Sequence, residues 1–487
     1  MTPLISPPPP PHYDRQYYWS SVALIVGVPA MGDFLFGFDV GVTSYAVVLW
    51  KAAGLEPLWI GILVSGPATG ALLASFVVFS LADRIGRRTE LQLAAGLYFV
   101  GAVLESFSGV VSSNRDQIAT LPLSMLLLGR WIYGAAIAFA LHGATTYVGE
   151  MVPSSIRGPI MSLNEVSIVT GILFGYLVGN ACSSDASWAP LYASSLLVSI
   201  AMLWLSSCFL HESPRWLTLK GKTEEALEAL RFVFEPEGAS QQHQQLLSTH
   251  RPQASAQSYK LLRHHRPALV AGLGIVALLQ LTGQPTVLTY ASPLLQEAGL
   301  AASSAVLVAL FKIVVTFVAV FTVEQQGRKK LLYIGCGLML VGLIVLSMTF
   351  SSSQANNHWH NTLVLSAMFV YIGGYQIGFG TMVWLITLEV FPMAIRGPAV
   401  ALAVQTNFGL HALMELLVPL LQDWFGTSVV FGIFGVATAS AIVFVFRYVP
   451  ETKGLSLEEI EQQFAARSRA GPSREELHPI INGTSSV

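Results

Sequence analysis

Asp83-Arg84-Ile85-Gly86-Arg87-Arg88 follows one apolar run, and Glu324-Gln325-Gln326-Gly327-Arg328-Lys329 follows another, 241 residues further on. Nearly the same distance separates Glu150-Met151-Val152-Pro153 with Ile156-Arg157-Gly158 from Glu389-Val390-Phe391-Pro392 with Ile395-Arg396-Gly397. It also separates Glu212-Ser213-Pro214-Arg215 from Glu451-Thr452-Lys453. Three matched sites at almost one offset mark a duplicated chain. In each half the motif sits where an apolar run gives way to charge.

Those runs occupy 20–48, 58–80, 90–110, 120–147, 160–180, 187–210, 267–298, 303–323, 331–350, 361–388, 397–422 and 427–448. Each is near or above the roughly 20 residues a helix needs to cross the hydrocarbon core. We number them spans 1 to 12. Of the 487 residues 53% are hydrophobic and 11% charged, about half the charge a water-soluble surface uses. The expected architecture is an all-α polytopic membrane protein of about 12 spans in two pseudo-symmetric six-helix halves, 20–210 and 267–449. A short segment, 1–19, precedes them, a polar linker, 211–266, joins them, and a tail, 450–487, follows.

Charge placement sets the expected orientation. With both termini cytoplasmic, all but four of the 26 Lys and Arg residues lie on the inner side. The exceptions are Lys51 and Arg115 in outer loops and Arg130 and Lys312 within spans, the asymmetry the positive-inside rule describes. The net charge of -2 gives no basic face for a nucleic acid. Cys182, Cys208 and Cys336 form no metal or redox spacing, and no nucleophile constellation or phosphate loop appears. No cofactor, metal or enzymatic activity is expected, and the protein reads as a monomer in the bilayer. In the linker Thr223 is placed to cap a helix running to Phe234, and in the tail Ser456 and Glu459 fit a capping box.

The acids and bases at the inner helix ends are Asp83, Arg87, Arg88, Glu150, Arg157, Glu212, Arg215, Glu324, Arg328, Glu389, Arg396 and Glu451. They can act as a gate that pairs across the two halves when the inner side closes and separates when it opens. The alternative is that they are only topology signals; the repeat of the acid and Arg-Gly arrangement in both halves favours the gate.

The chain resembles the sugar porters of the major facilitator class along essentially its whole length. The resemblance rests on Gly37-Phe38-Asp39-Val40-Gly41, Asp83 to Arg88, Gly129-Arg130, Tyr147 with Glu150 to Gly158, Glu212 to Leu217, Gln280 to Gly283, Trp384 with Glu389, and Pro450 to Gly454. Leu281 to Pro285, Phe311-Lys312 and Thr406 to Gly409 are similar to the plant and algal vacuolar glucose, plastidic sugar or xylose-proton symporter-like group. Departures exist as well. Leu279 and Pro285 replace a usual glutamine and asparagine in span 7, and Thr381 and Val383 replace two prolines before Trp384.

The resemblance implies roles for particular residues. Asp39 and Arg130 match the proton-coupling pair of spans 1 and 4, whose making and breaking would take up and release a proton; a static buried ion pair is the plainer alternative. Glu165, Gln280, Gln284, Tyr290, Lys312, Trp384, Asn407, Phe408 and His411 match the sugar cleft, with Trp384 and Phe408 placed to stack on the sugar. A charge inside a span costs about 2.5–3.5 kcal/mol on insertion scales, which singles out Asp33, Asp39, Arg130, Glu165, Lys312 and Glu415. Glu105 lies closer to a span end and is left out. Glu165 and Lys312, of opposite sign at positions usually amides, are expected to pair. The expected function is alternating-access transport of a monosaccharide, glucose or a related hexose or pentose, with a proton as co-substrate. Facilitated diffusion and a transporter-like sensor are the alternatives.

Overall fold

The computed structural model describes residues 17–112, 120–153, 155–161, 163–182, 187–248, 262–351, 358–393, 395–453, 459–461 and 464. Arg115, Ser456 and most of the terminal segments lie outside them. Eleven helices are long and apolar enough to cross a membrane. The twelfth, span 5 at Leu163–Ala181, is 19 residues long and holds Asn164, Glu165 and Asn180 near its ends, which lowers its mean hydropathy. Large apolar side chains such as Leu197, Phe321 and Val436 are 70–77% exposed, a surface that only lipid covers favourably.

Several observed spans overrun the apolar runs by a few residues, because charged helix ends remain helical beyond the hydrocarbon. Span 1 is Trp19–Ala52, span 3 Arg87–Ser112 and span 4 Thr120–Met151. Three spans are broken. Span 2 runs Pro57–Val64 and Gly66–Ile85. Span 7 runs Arg266–Leu281, Gln284–Thr289 and Ala291–Glu297. Span 10 passes through a π-helical turn, Gln376–Gly380, between His358–Tyr375 and Thr381–Val390. Pro67 and Pro285 lack the N–H that would continue the ladder, which accounts for the first two breaks. Span 6 is Ala189–Cys208, span 8 Ser304–Gln326, span 9 Arg328–Ser351, span 11 Arg396–Phe425 and span 12 Thr427–Tyr448.

Within the first half, spans 1 and 5 cross at backbone contact. A Cβ on Gly37 would lie 1.8 Å from the Ile168 carbonyl oxygen, so only glycine permits this approach, the small-residue packing of membrane helices. The linker forms short helices at Pro214–Leu219, Thr223–Val233 and Pro236–Ser248. Thr223 is the first helical residue there, not the cap; Lys222 takes the cap position and contributes no side-chain bond to the helix N–H groups. In the tail Ile460 and Phe464 are buried against the bundle, and Cys208 and Cys336 are free thiols.

An even number of spans puts the chain ends and the linker on one face, here called the terminal face. The halves are joined on the opposite face. Tyr45 Oη donates to the Ala302 carbonyl at 3.0 Å, Tyr176 Oη to the Leu288 carbonyl at 2.6 Å, and the Ser292 N–H to Ser44 Oγ at 2.8 Å. Between described residues, no hydrogen bond or ion pair joins the two halves on the terminal face. Among the described residues, the hydrogen bonds that latch the two halves lie on the face opposite the termini.

Candidate functional site

The duplicated motifs build the same device in each half. Gly86 at the start of span 3 has φ +92° and Gly327 at the start of span 9 has φ +86°, conformations that disfavour any Cβ. The Glu212 carboxylate accepts the Arg87 N–H at 2.7 Å and the Arg88 N–H at 3.0 Å. Glu451 accepts the Arg328 and Lys329 N–H groups, both at 3.0 Å. An acid from a distant loop thus caps a helix N-terminus and opposes its dipole. Beside it, Arg87 lies 3.3 Å from Glu150 and 3.1 Å from Asp83, and Arg328 lies 3.0 Å from Glu389. Ser213 Oγ donates to Glu150.

In this conformation these acids and bases therefore pair inside their own half. Arg157 and Arg396 each turn back onto their own segment, donating to the Val152 and Phe391 carbonyls, and Arg88 reaches the Ser206 carbonyl. Arg215 is exposed. The side chain of Glu324 lies outside the described residues.

Asp39 and Arg130 meet in the interior of the first half. Arg130 Nη1 donates to Asp39 Oδ1, which also accepts the Thr43 hydroxyl at 3.4 Å. The two side chains are 7% and 1% exposed. Arg130 Nε donates to the Leu63 carbonyl at 3.1 Å, an oxygen left free because the residue four places on is Pro67. The Tyr192 ring of span 6 lies 5.5 Å from the guanidinium carbon, a cation–π contact. On the other side Glu105 Oε1 is 3.8 Å from Arg130 Nη1, and the Glu105 side chain is fully buried. Its exclusion by position is corrected here: span 3 continues to Ser112, which sets Glu105 nearly two turns inside.

The residues expected to line the cleft come together in part. Gln280 Nε2 of span 7 donates to Asn407 Oδ1 of span 11 at 2.8 Å. Gln280 Oε1 and Gln284 Nε2 are buried without a hydrogen-bond partner, an exception to the usual pairing of buried polar groups. His411 Nε2 lies 3.2 Å from Glu415 Oε1, which accepts the Thr289 hydroxyl at 3.1 Å. Tyr290 Oη donates to the Glu415 main-chain carbonyl, so its hydroxyl is engaged in the fold. Phe408 is 4% exposed and packs into the core of the first half, closed to stacking on a ligand here. Trp384 is 36% exposed, and no aromatic ring stacks on it among the described residues.

Glu165 and Lys312 do not form a direct ion pair in this conformation. Glu165 Oε1 instead accepts from Gln376 Nε2 at 3.0 Å, the one described hydrogen bond between the halves that lies away from the latched face. Lys312 is 4% exposed and feels Glu165 only across a longer gap. Gln376 belongs to the π-helical turn of span 10, a feature common at functional sites; nothing in the sequence marks such a turn. Buried Glu90 and part-buried His142, 2.7 Å apart on spans 3 and 4, are a further pair that the sequence does not flag.

A two-half bundle with charges paired at its centre is the build of a carrier, and the chain belongs to the sugar-porter family of the major facilitator class: residues 25–464 match the family described as Sugar (and other) transporter. It is 36% identical to D-xylose-proton symporter-like 2 of Arabidopsis thaliana over 92% of each chain. It is 30% identical to the glucose transporter GlcP of Staphylococcus epidermidis, over 92% of this chain and 98% of that one. The solved structure of the xylose transporter XylE from E. coli in an inward-open conformation matches with a TM-score of 0.76 at 27% identity. That match covers 91% of this chain and 99% of that one.

Proposed function

We propose that the protein moves a monosaccharide, glucose or a related hexose or pentose, together with a proton by alternating access, with both termini on the cytoplasmic side. The observation that carries the reading is the buried Asp39–Arg130 pair. A carboxylate held by a guanidinium inside a bundle changes its proton affinity when the contact is broken, which links conformation to proton binding. The unpartnered amides of Gln280 and Gln284 supply directional groups for sugar hydroxyls. Relatives named as a xylose-proton symporter-like protein and a glucose transporter support the substrate class. The inner-end networks act as the gate, and the bonds that join the halves on the opposite face support an inward-facing reading of this conformation.

The test is uptake of a sugar panel into proteoliposomes with and without an imposed pH gradient. Accumulation above equilibrium that collapses when the gradient is dissipated is expected. Sugar flux that equilibrates identically in both conditions would replace symport by facilitated diffusion.

A further inference from the structure

One guanidinium in this protein faces two carboxylates. Arg130 Nη1 bonds Asp39 on one side and lies 3.8 Å from Glu105 on the other. Glu105 is fully buried, and neither of its oxygens has a hydrogen-bond partner. Its place is built: a Cβ on Gly129 would lie 2.8 Å from Glu105 Cγ, so the residue before Arg130 is the one that lets spans 3 and 4 close on this side chain.

We propose that Glu105 is the alternate counter-ion of Arg130, taking over the guanidinium when Asp39 binds a proton. The inference rests on the proton-symport reading and adds to it a residue outside the coupling pair. A buried Arg whose only partner becomes neutral is left as an uncompensated charge, which strongly opposes the change. With a second carboxylate within reach, the guanidinium needs to move only from hydrogen-bond contact with Asp39 to hydrogen-bond contact with Glu105.

The proton balance is simple. The Asp39 carboxylate takes one proton from the aqueous side it faces and becomes the acid; Arg130 keeps its proton, and the Glu105 carboxylate becomes its counter-charge. Reversal on the other side releases the same proton, one per turnover. The other titratable groups facing this cluster are Tyr98 of span 3, Tyr133 of span 4, Tyr192 of span 6 and Tyr290 of span 7, with Glu415 of span 11 beyond Asp39. None of these stands within ion-pair distance of Arg130.

The experiment is pH-dependent sugar uptake by the full chain in proteoliposomes, comparing the wild type with Glu105→Gln. With Asp39 as sole counter-ion, protonation of Asp39 becomes harder. The pH of half-maximal uptake is expected to move to the acid side by about one unit, and uptake at the wild-type midpoint to fall several-fold. Glu105→Asp, which withdraws the carboxylate by one methylene, shifts the same way by less and covers the case in which Glu105→Gln does not fold. An unchanged midpoint in either variant overturns the proposal. A wild type without pH-driven uptake instead removes the symport reading beneath it.

Discussion

The Tyr290 hydroxyl of span 7 donates to the Glu415 main-chain oxygen of span 11 at 2.9 Å, and it can do so because the residue four places on is Pro419. A helix carbonyl normally bonds the N–H at i+4; proline has none. Arg130 uses the same opening, where Pro67 frees the Leu63 carbonyl. In both cases a proline in a helix frees the carbonyl that fixes a side chain of a neighbouring span.

Removing the hydroxyl tests this. Tyr290→Phe leaves the Glu415 carbonyl unsatisfied and should cost ~1–3 kcal/mol, read as a lower unfolding midpoint in detergent. Pro419→Ala restores an N–H and should offset part of that loss in the double variant. Strictly additive losses would show that the carbonyl was never short of a donor.

Asp39→Asn should abolish uphill accumulation while sparing sugar exchange, since exchange needs alternating access without net proton release. Counterflow and pH-driven uptake measured on one preparation check it. Accumulation at the wild-type level would remove Asp39 from coupling.

The distant caps on spans 3 and 9 should be equivalent. Glu212→Gln and Glu451→Gln each weaken two charge-assisted bonds to a helix N-terminus, a loss of ~1–2 kcal/mol apiece. Because the caps lie in different halves, the double variant should lose the sum. Thermal unfolding of the three variants measures this, and strong coupling between the two losses would contradict the independence of the networks.

Glu165→Gln and Lys312→Asn should each harm sugar binding more than the two together, because each alone leaves a buried charge without its balance. Gln376 accentuates the first, since its bond to Glu165 is charge-assisted. Binding isotherms for the singles and the double decide; a double variant worse than either single would mean that the charges act separately.

The span count and the duplication were legible in the sequence because hydropathy is a local property and the loop motifs repeat at one offset. Contacts between spans are not local. Which acid meets Arg87 depends on how helix ends are arranged around the bundle, and Asp83, Glu150 and Glu212 from the same half prove to be its neighbours. Glu105 was hidden by a span boundary set at the last strongly apolar residue, while the helix continues to Ser112. Gln376 reads as an ordinary polar residue in a helix, since no residue pattern marks the π-helical turn that aims it at Glu165. Asp39 and Arg130 were legible through the family motifs around them, and their contact follows from how spans 1 and 4 pack.

The latch formed by Tyr45, Ser44 and Tyr176 on one face also has a mechanical consequence. A span of about 20 residues is ~30 Å long, so each half is a lever whose fulcrum lies at those three bonds. A tilt of ~10° about that fulcrum displaces the far helix ends by ~5 Å, about the pitch of one helical turn. Side chains at the latch then move by less than a bond length while the terminal face opens by a width that matters to a sugar ring. Stiffness near the fulcrum, set by a few bonds between side-chain hydroxyls and main-chain groups, thereby governs the aperture at the other end.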